Sequence, residues 1–390
     1  MNIVCVPFHD YKVALKEGFR TRDTHIYGSW EGVEKVEKIV ILNRPTLMLE
    51  SILGRRDKLT EGEVVYSSSQ MNIVKVSSKT FVVDVLRWDI IGPVLKGKAY
   101  IPSLYWRSKD YFHKALQILE VHDFISYESS PLSKNLINYL HPRVKIFDGV
   151  DNFCKHESYQ PLKGWLESEY QEIISNYENV YFNSRDSISY FNSSKKSNVE
   201  FIANGVDFER FKATYPKPSQ LESIPGKVAI YAGKMQSMFD VDLVKECASK
   251  YPDISWVFLG KVLEGNIDSK FDNFENVFFL GDIHYDELPA YITNADLCII
   301  PYRIEKQHGG DPIKFYEYLA SGLPIVSTNI GEIAQYSNEL DVFVVEKNDF
   351  VVSISKAIRC EKNITRTLPN NMTWSSKSEY MVNKALLNKS

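Results

Sequence analysis

Two series of short apolar runs, each run followed by a segment with helical periodicity, lie on either side of a stretch that holds three prolines, KATYPKPSQLESIPG. Apolar runs without a polar alternation suit strands buried on both faces, and strand–helix alternation is how a parallel sheet covers itself. The first series is MNIVCVPF, EKIVILNRP, DFISYES, RVKIFDG, NVYFNS and VEFIANG, with helical patterns around 108–120, 162–177 and 186–191. The region 44–105 follows neither period and yields no topology. The second series is KVAIYAG, ISWVFLG, VFFLG, DLCIIPY, LPIVST and DVFVVE, with helices near 241–250, 285–293, 312–320 and 349–358. It is the cleaner of the two.

One hydrophobic core stops growing at roughly 250–300 residues, so a chain of 390 residues is expected to form two domains. The boundaries read as 1–211 for the first, 212–226 for a linker and 227–372 for the second. The remaining segment, 373–390, contains TWSSKSEYMVNKALL, an amphipathic helix with Tyr380, Met381 and Leu386 among its apolar positions. It is too short to fold alone and must pack on something already folded.

A net charge of −4 and a pI near 6.1 provide no overall attraction to nucleic acid. With 44% hydrophobic and 25% charged residues, the composition is that of a soluble globular chain. Cys5, Cys154, Cys247, Cys298 and Cys360 are scattered without a CxxC or Cys/His cluster, which suits reduced core residues in a reducing compartment and suggests no metal site. The run from Met1 to Phe8 lacks a basic flank and ends at His9-Asp10, so it reads as a buried strand. No window approaches the ~18–20 apolar residues of a membrane span, and a cytoplasmic location is expected.

The segment HGGDPIKFYEYLASGLPIVST carries the most chemistry. Asp311 is a suitable N-cap, Pro312 suits the first helical position, and Gly322 followed by Pro324 ends the helix. Lys314 then falls in the first turn, where a cation opposes the helix dipole at a cost of roughly 0.3–1 kcal/mol unless an anion joins it. Backbone N–H groups at Gly309, Gly310 and the helix start, together with the Lys314 ammonium, would bind a phosphate or diphosphate. Glu317, three residues on, projects from the same face and suits two vicinal ribose hydroxyls, although such a Lys–Glu spacing also makes a plain surface ion pair.

Proline, x, lysine, x, x, glutamate, three largely apolar residues and then Ser-Gly-x-Pro-Ile-Val resembles the donor-site signature of group 1 glycosyltransferases of the GT-B type. The resemblance implies an α/β chain of two Rossmann-like domains facing across a cleft, with a C-terminal crossover helix that returns to the first domain. It also implies that Lys314 contacts the diphosphate of a nucleoside-diphosphate sugar and Glu317 its ribose. Gly233-Lys234-Met235 would admit the donor to the end of its strand, Asp282-Ile283 after Gly281 would border the nucleobase, and Tyr302 would lie against base or ribose. Retaining members place a glutamate where this chain has Gly309, which favours inversion. No metal or cofactor is implied, because the helix start and a lysine neutralise the departing diphosphate.

For the acceptor side, VKIFDGVDNF resembles a strand end of the xanthan glucuronosyltransferase and of teichuronic-acid-type transferases, which implies Asp151 as the base, with Asp148 nearby. The same resemblance places His9, Asp10, Arg22, His25 and Glu128 along an acceptor site. A saccharide hydroxyl on a growing surface polysaccharide, or on its lipid-linked precursor, is the implied acceptor, with uridine as the expected nucleoside. The basic and aromatic stretch KGKAYIPSLYWRSKDYFHKAL would lay the first domain against a membrane. A nucleotide-sugar 2-epimerase of the same fold and a non-catalytic sugar-nucleotide-binding subunit are the alternatives.

Overall fold

A computed structural model of the chain describes residues 1–89, 92, 97–306, 310–337 and 340–387. These divide into two compact units, Met1–Ile202 with Trp374–Ser390, and Ala203–Thr373.

The first unit is built on β1 (Asn2–Val6), β2 (Lys38–Leu42), β3 (Thr46–Leu47), β4 (Glu63–Ser67), β5 (Met71–Lys75), β6 (Thr80–Arg87), β7 (Phe124–Glu128), β8 (Val144–Gly149), β9 (Asn179–Phe182) and β10 (Val199–Phe201). Its sheet runs β10-β9-β8-β7-β1-β2-β6-β5-β4, with β3 beside β6. Pairings from β10 to β6 are parallel, and β5 and β4 extend the sheet as an antiparallel ribbon. That ribbon lies in the stretch whose sequence shows no clear period, and Asp84 shows why. It interrupts the apolar run of β6, yet is buried at 1% exposure, where Lys12, Asn43 and the Thr60 amide donate to its carboxylate. A satisfied buried charge leaves no hydrophobic trace in the sequence.

Strand β1 lies between β2 and β7, so the chain moves outward in opposite directions from it. The carboxyl ends of β1 and β7 therefore flank a topological switch point, where open α/β sheets form their ligand crevice.

The second unit contains β11 (Lys227–Ala232), β12 (Ile254–Leu259), β13 (Val277–Gly281), β14 (Leu297–Ile300), β15 (Ile325–Thr328) and β16 (Val342–Val345). They form a fully parallel sheet in the order β13-β12-β11-β14-β15-β16. All of β12 is buried, while β13 and the end of β16 are half-buried, as edge strands should be. Each fully buried Val, Ile, Leu or Phe contributes about 1.5–3 kcal/mol, so the central strands provide most of this unit's cohesion. The switch point here is between β11 and β14. The proline-bearing stretch belongs to this unit, with Phe211 and Leu221 in its core.

The terminal helix Trp374–Leu387 packs within the first unit. It buries Trp374, Ser378, Met381, Val382 and Ala385, one stripe at helical spacing. Trp30 donates from its indole to the Ser378 carbonyl at 2.9 Å, and Trp374 stacks on His25 at 4.7 Å between ring centres. Of the apolar positions expected to pack, Met381 does, whereas Tyr380 is exposed and its hydroxyl donates to Glu200 at 2.7 Å. Among the described residues no helix is long and apolar enough to cross a membrane.

Candidate functional site

Strand β11 ends at Ala232, and Gly233 turns the chain with φ 149°, a backbone conformation that side chains disfavour. A Cβ added there would stand 2.1 Å from the Lys314 Nζ. The glycine is therefore the space into which the lysine reaches.

Lys314 comes from the helix Ile313–Ser321, which begins after Pro312. The end agrees with the sequence, since Gly322 adopts φ 74° and a side chain there would strike the Asn363 carbonyl. The start needs correcting. Pro312 occupies the cap position and Asp311 does not cap at all. Its carboxylate is buried and accepts from the Asn204 amide at 2.9 Å and the Tyr316 hydroxyl at 2.7 Å, so it anchors the preceding loop. Gly310 is half-buried beside it, and Gly309 is outside the described residues.

The half-buried Lys314 ammonium donates to the Tyr302 hydroxyl at 2.6 Å and lies 4.0 Å from the centre of the Tyr231 ring. Tyr231 and Tyr302 are themselves 3.1 Å apart through their hydroxyls, and Tyr231 donates to the Lys234 carbonyl at 2.9 Å. Two aromatic faces and one hydroxyl thus hold a full positive charge at the switch point between β11 and β14. Among the described residues no carboxylate pairs with it.

Glu317 makes no ion pair with Lys314 among the described residues, which removes the plain surface-pair reading. Its carboxylate is buried and accepts from the Tyr285 hydroxyl at 2.7 Å. Burial and the Glu317 charge push the Tyr285 hydroxyl well above its ordinary pKa, so it remains a donor. Arg210 covers the Tyr285 ring at 4.5 Å and donates to its carbonyl at 2.9 Å. Neither Tyr285 nor Tyr231 was legible as a site residue, because each meets the helix only through folding.

Of the flanking positions, Met235 is wholly buried, and its amide donates to the Lys261 carbonyl at 2.9 Å, so its side chain belongs to the core and not to a binding surface. Tyr302 is also largely buried and lies beneath Lys314. Asp282 pairs with Lys261 at 3.1 Å, and Ile283 packs against the core.

In the first unit several residues expected along an acceptor site are buried structural groups. Arg22 and Asp148, both 0% exposed, form an ion pair at 2.9 Å with Tyr127 donating to the same carboxylate. Asp10 caps the helix Tyr11–Glu17 by accepting from the Lys12 amide, and its other oxygen accepts from Arg56. Glu128, 0% exposed, accepts from Ser133 and Tyr177, and burial raises its carboxyl to about 7. Sequence gives residue type and strand end, but not depth. His9 and Asp151 remain accessible: His9 keeps 26% of its side chain exposed, and Asp151 is half-buried in the turn after β8, its carbonyl held by Tyr170. His25 borders a cavity of about 390 Å³ with Tyr11 and Tyr27.

A doubly wound parallel sheet with a cation held at its switch point makes the second unit a Rossmann-like domain. Residues 227–360 match the family model for group 1 glycosyl transferases. The full chain superposes on sucrose-phosphate synthase from Thermosynechococcus elongatus with a TM-score of 0.70 at 12% identity, covering 100% of both chains. It superposes on the UDP-forming α,α-trehalose-phosphate synthase from Burkholderia xenovorans with a TM-score of 0.67 at 11% identity and 99% coverage of each. For Anabaena HepE, solved with UDP and glucose, the TM-score is 0.61 at 12% identity, covering 100% of this chain and 97% of that one. A protein of Bacillus subtilis (strain 168) named as a teichuronic acid biosynthesis glycosyltransferase is 26% identical over 189 residues, 44% of this chain. The match spans about half of that relative, 48% of its length. The chain thus has the GT-B fold of two Rossmann-like domains, and its second unit carries a group 1 glycosyltransferase domain.

Proposed function

We propose that this chain transfers a glycosyl group from a nucleoside-diphosphate sugar to a saccharide hydroxyl, in the assembly of a surface polysaccharide. The carrying observation is the Lys314 ammonium, held by Tyr302 and Tyr231 at a switch point and lacking a carboxylate among the described residues. A diphosphate provides the missing charge, and its departure is assisted by the same ammonium. Glu317, one turn on, takes the ribose hydroxyls, and Asp282 and Ile283 border the base. Uridine is supported by the UDP found with HepE, and the polysaccharide role by the name of the Bacillus relative. No metal is required by this reading.

The acceptor falls to the first unit, where Asp151 is the carboxylate that the resemblance implies as base for an inverting transfer. A groove of about 800 Å³ lined by Pro102, Trp106, Arg107, Leu162 and Trp165 supports a lipid-linked acceptor and contact with the inner face of a membrane. Lys98 and Lys109 flank it, each over an aromatic ring. Binding to anionic vesicles should fall when Lys98, Arg107 and Lys109 are neutralised together, and unchanged binding overturns the membrane part.

The test of the main reading is incubation with UDP-, GDP- and TDP-sugars, following nucleotide release with and without saccharide acceptors. Release that rises with acceptor supports transfer. Donor conversion indifferent to acceptor supports 2-epimerisation instead, and no conversion of any donor leaves a binding subunit.

A further inference from the structure

We infer that the cavity of the first unit bordered by Tyr11, Phe19, Tyr27 and Glu31 binds an organic ammonium, its cation set between the aromatic rings and the Glu31 carboxylate. The inference stands apart from the transferase reading, because every residue it uses belongs to the first unit and none is among the donor or acceptor positions named above.

The cavity encloses about 390 Å³, toward the lower end of the roughly 300–1,000 Å³ of small-molecule sites. It lies between the helices Tyr11–Glu17 and Arg22–Ser29 and the turn that leads from β5 into β6. Thr80, which begins β6, pairs with Ile39 near the start of β2, and its hydroxyl donates to the Glu31 carboxylate. The carboxylate is thus at the amino ends of these parallel strands, opposite the carboxyl ends that flank the switch point.

Three features converge on this cavity, and each is unfavourable in the chain alone. The first is charge. Glu31 accepts from the Ser77 and Thr80 hydroxyls, but among the described residues no cation pairs with its carboxylate. Hydroxyls orient a carboxylate without neutralising it. The charge is felt at the aromatic wall, where the Tyr11 hydroxyl is pushed up to about 12 by burial and then by Glu31.

The second is an unmet hydrogen bond. Tyr27 is 3% exposed and lines the cavity, and its hydroxyl meets no partner among the described residues. A buried hydroxyl in that state costs stability. The third is backbone strain. Phe19 follows Gly18 at a φ of 59°, a left-handed conformation that a bulky side chain disfavours. There its ring stands edge-on to Tyr11, with 5.1 Å between ring centres, and the two form one wall.

An organic ammonium answers all three. Its charge compensates Glu31, and the rings of Tyr11, Phe19 and Tyr27 attract a cation most strongly where water is excluded. A polar substituent of the ligand gives the Tyr27 hydroxyl its partner. A neutral sugar would leave Glu31 uncompensated, and an anion would be repelled by it. A free amine and an amino sugar within a saccharide present the same cation to the cavity.

The experiment titrates the full chain by calorimetry with D-glucosamine, choline and D-glucose, slightly below neutral pH where both amines are cations. At least one amine should bind about 10-fold or more tighter than D-glucose, as a desolvated cation among aromatic rings does. Binding of D-glucosamine alone assigns the cavity to an amino sugar, and binding of choline to a free amine. Glu31→Gln still accepts from Ser77 and Thr80 and should abolish the preference for the cation. Tyr27→Phe removes the unmet hydroxyl, so it should resist urea at least as well as the wild type while binding the amine several-fold more weakly. Should Glu31→Gln fail to fold, Tyr27→Phe and the wild-type preference decide. D-glucose binding as tightly as either amine overturns the inference, as does the absence of amine binding at millimolar concentration or an affinity unchanged in both variants. Donor turnover enters none of these measurements, so the transferase reading stands or falls separately.

Discussion

The Lys314 Nζ and the Tyr302 hydroxyl lie 2.6 Å apart, so a cation that the helix dipole disfavours is fixed before any ligand arrives. Pre-fixing lowers the ordering cost of binding an anion there. Lys314→Met keeps the stem that packs on Tyr231 and removes only the charge. It should weaken UDP binding about 10- to 100-fold, the loss of a charge-assisted contact worth roughly 1.5–3 kcal/mol. Thermal unfolding should shift by only a few degrees. Calorimetric titration with UDP beside a melting curve checks both; an unchanged affinity refutes the assignment.

Gly233→Ala tests the same arrangement from the other side. Its Cβ would fall 2.1 Å from the Lys314 Nζ, at a φ of 149°. The ammonium must swing away, and the backbone strain costs about 1–3 kcal/mol. UDP affinity should fall about as far as in Lys314→Met, with a measurable loss of stability in urea that Lys314→Met does not show. The double variant should bind no worse than either single, since both remove one contact.

Much of this second unit was legible in advance because its determinants are local. Apolar runs marked all six strands, Gly322 fixed the end of the key helix, and Lys314 and Glu317 were singled out by their place in that helix together with the resemblance to a donor-site signature. What the sequence hid was long-range: Tyr231 and Tyr285 reach this helix from a strand and from a turn, and nothing in their own neighbourhoods announces it. The Asp311 cap failed for the same reason, because Asn204 and Tyr316 compete for its carboxylate. In the first unit, Arg22 and Asp148 are 126 positions apart and fully buried together, so a pair that looked like ligand-facing polarity is internal.

That burial makes a prediction of its own. Removing one partner of a buried ion pair strands the other, at a cost of about 3–5 kcal/mol. Asp148→Ala should accordingly destabilise the first unit by that order and leave Arg22 uncompensated, whereas the double change Arg22→Met with Asp148→Leu should recover a large part of the loss. Urea unfolding of the three variants decides the matter. If Asp148→Ala melts like the wild type and instead loses only turnover, the carboxylate faces a ligand after all.

Glu128 gives the clearest pH dependence. Its carboxyl is raised by burial from 4.5 to about 7, against the lowering effect of the Ser133 and Tyr177 hydroxyls that donate to it. Between those two values the unfolded chain has released this proton and the folded chain retains it, so folding binds a proton. The associated stability is fully present below about 4.5 and is lost as pH rises through 7. A difference of this size corresponds to a few kcal/mol by linkage. Glu128→Gln cannot ionise, and its side-chain oxygen can still accept from one of the two hydroxyls. The variant should therefore be about as stable as the wild type near pH 5 and more stable than it at pH 8, flattening the profile. Urea titrations at both values measure the difference; a wild-type profile whose slope survives the substitution would place the proton on another group.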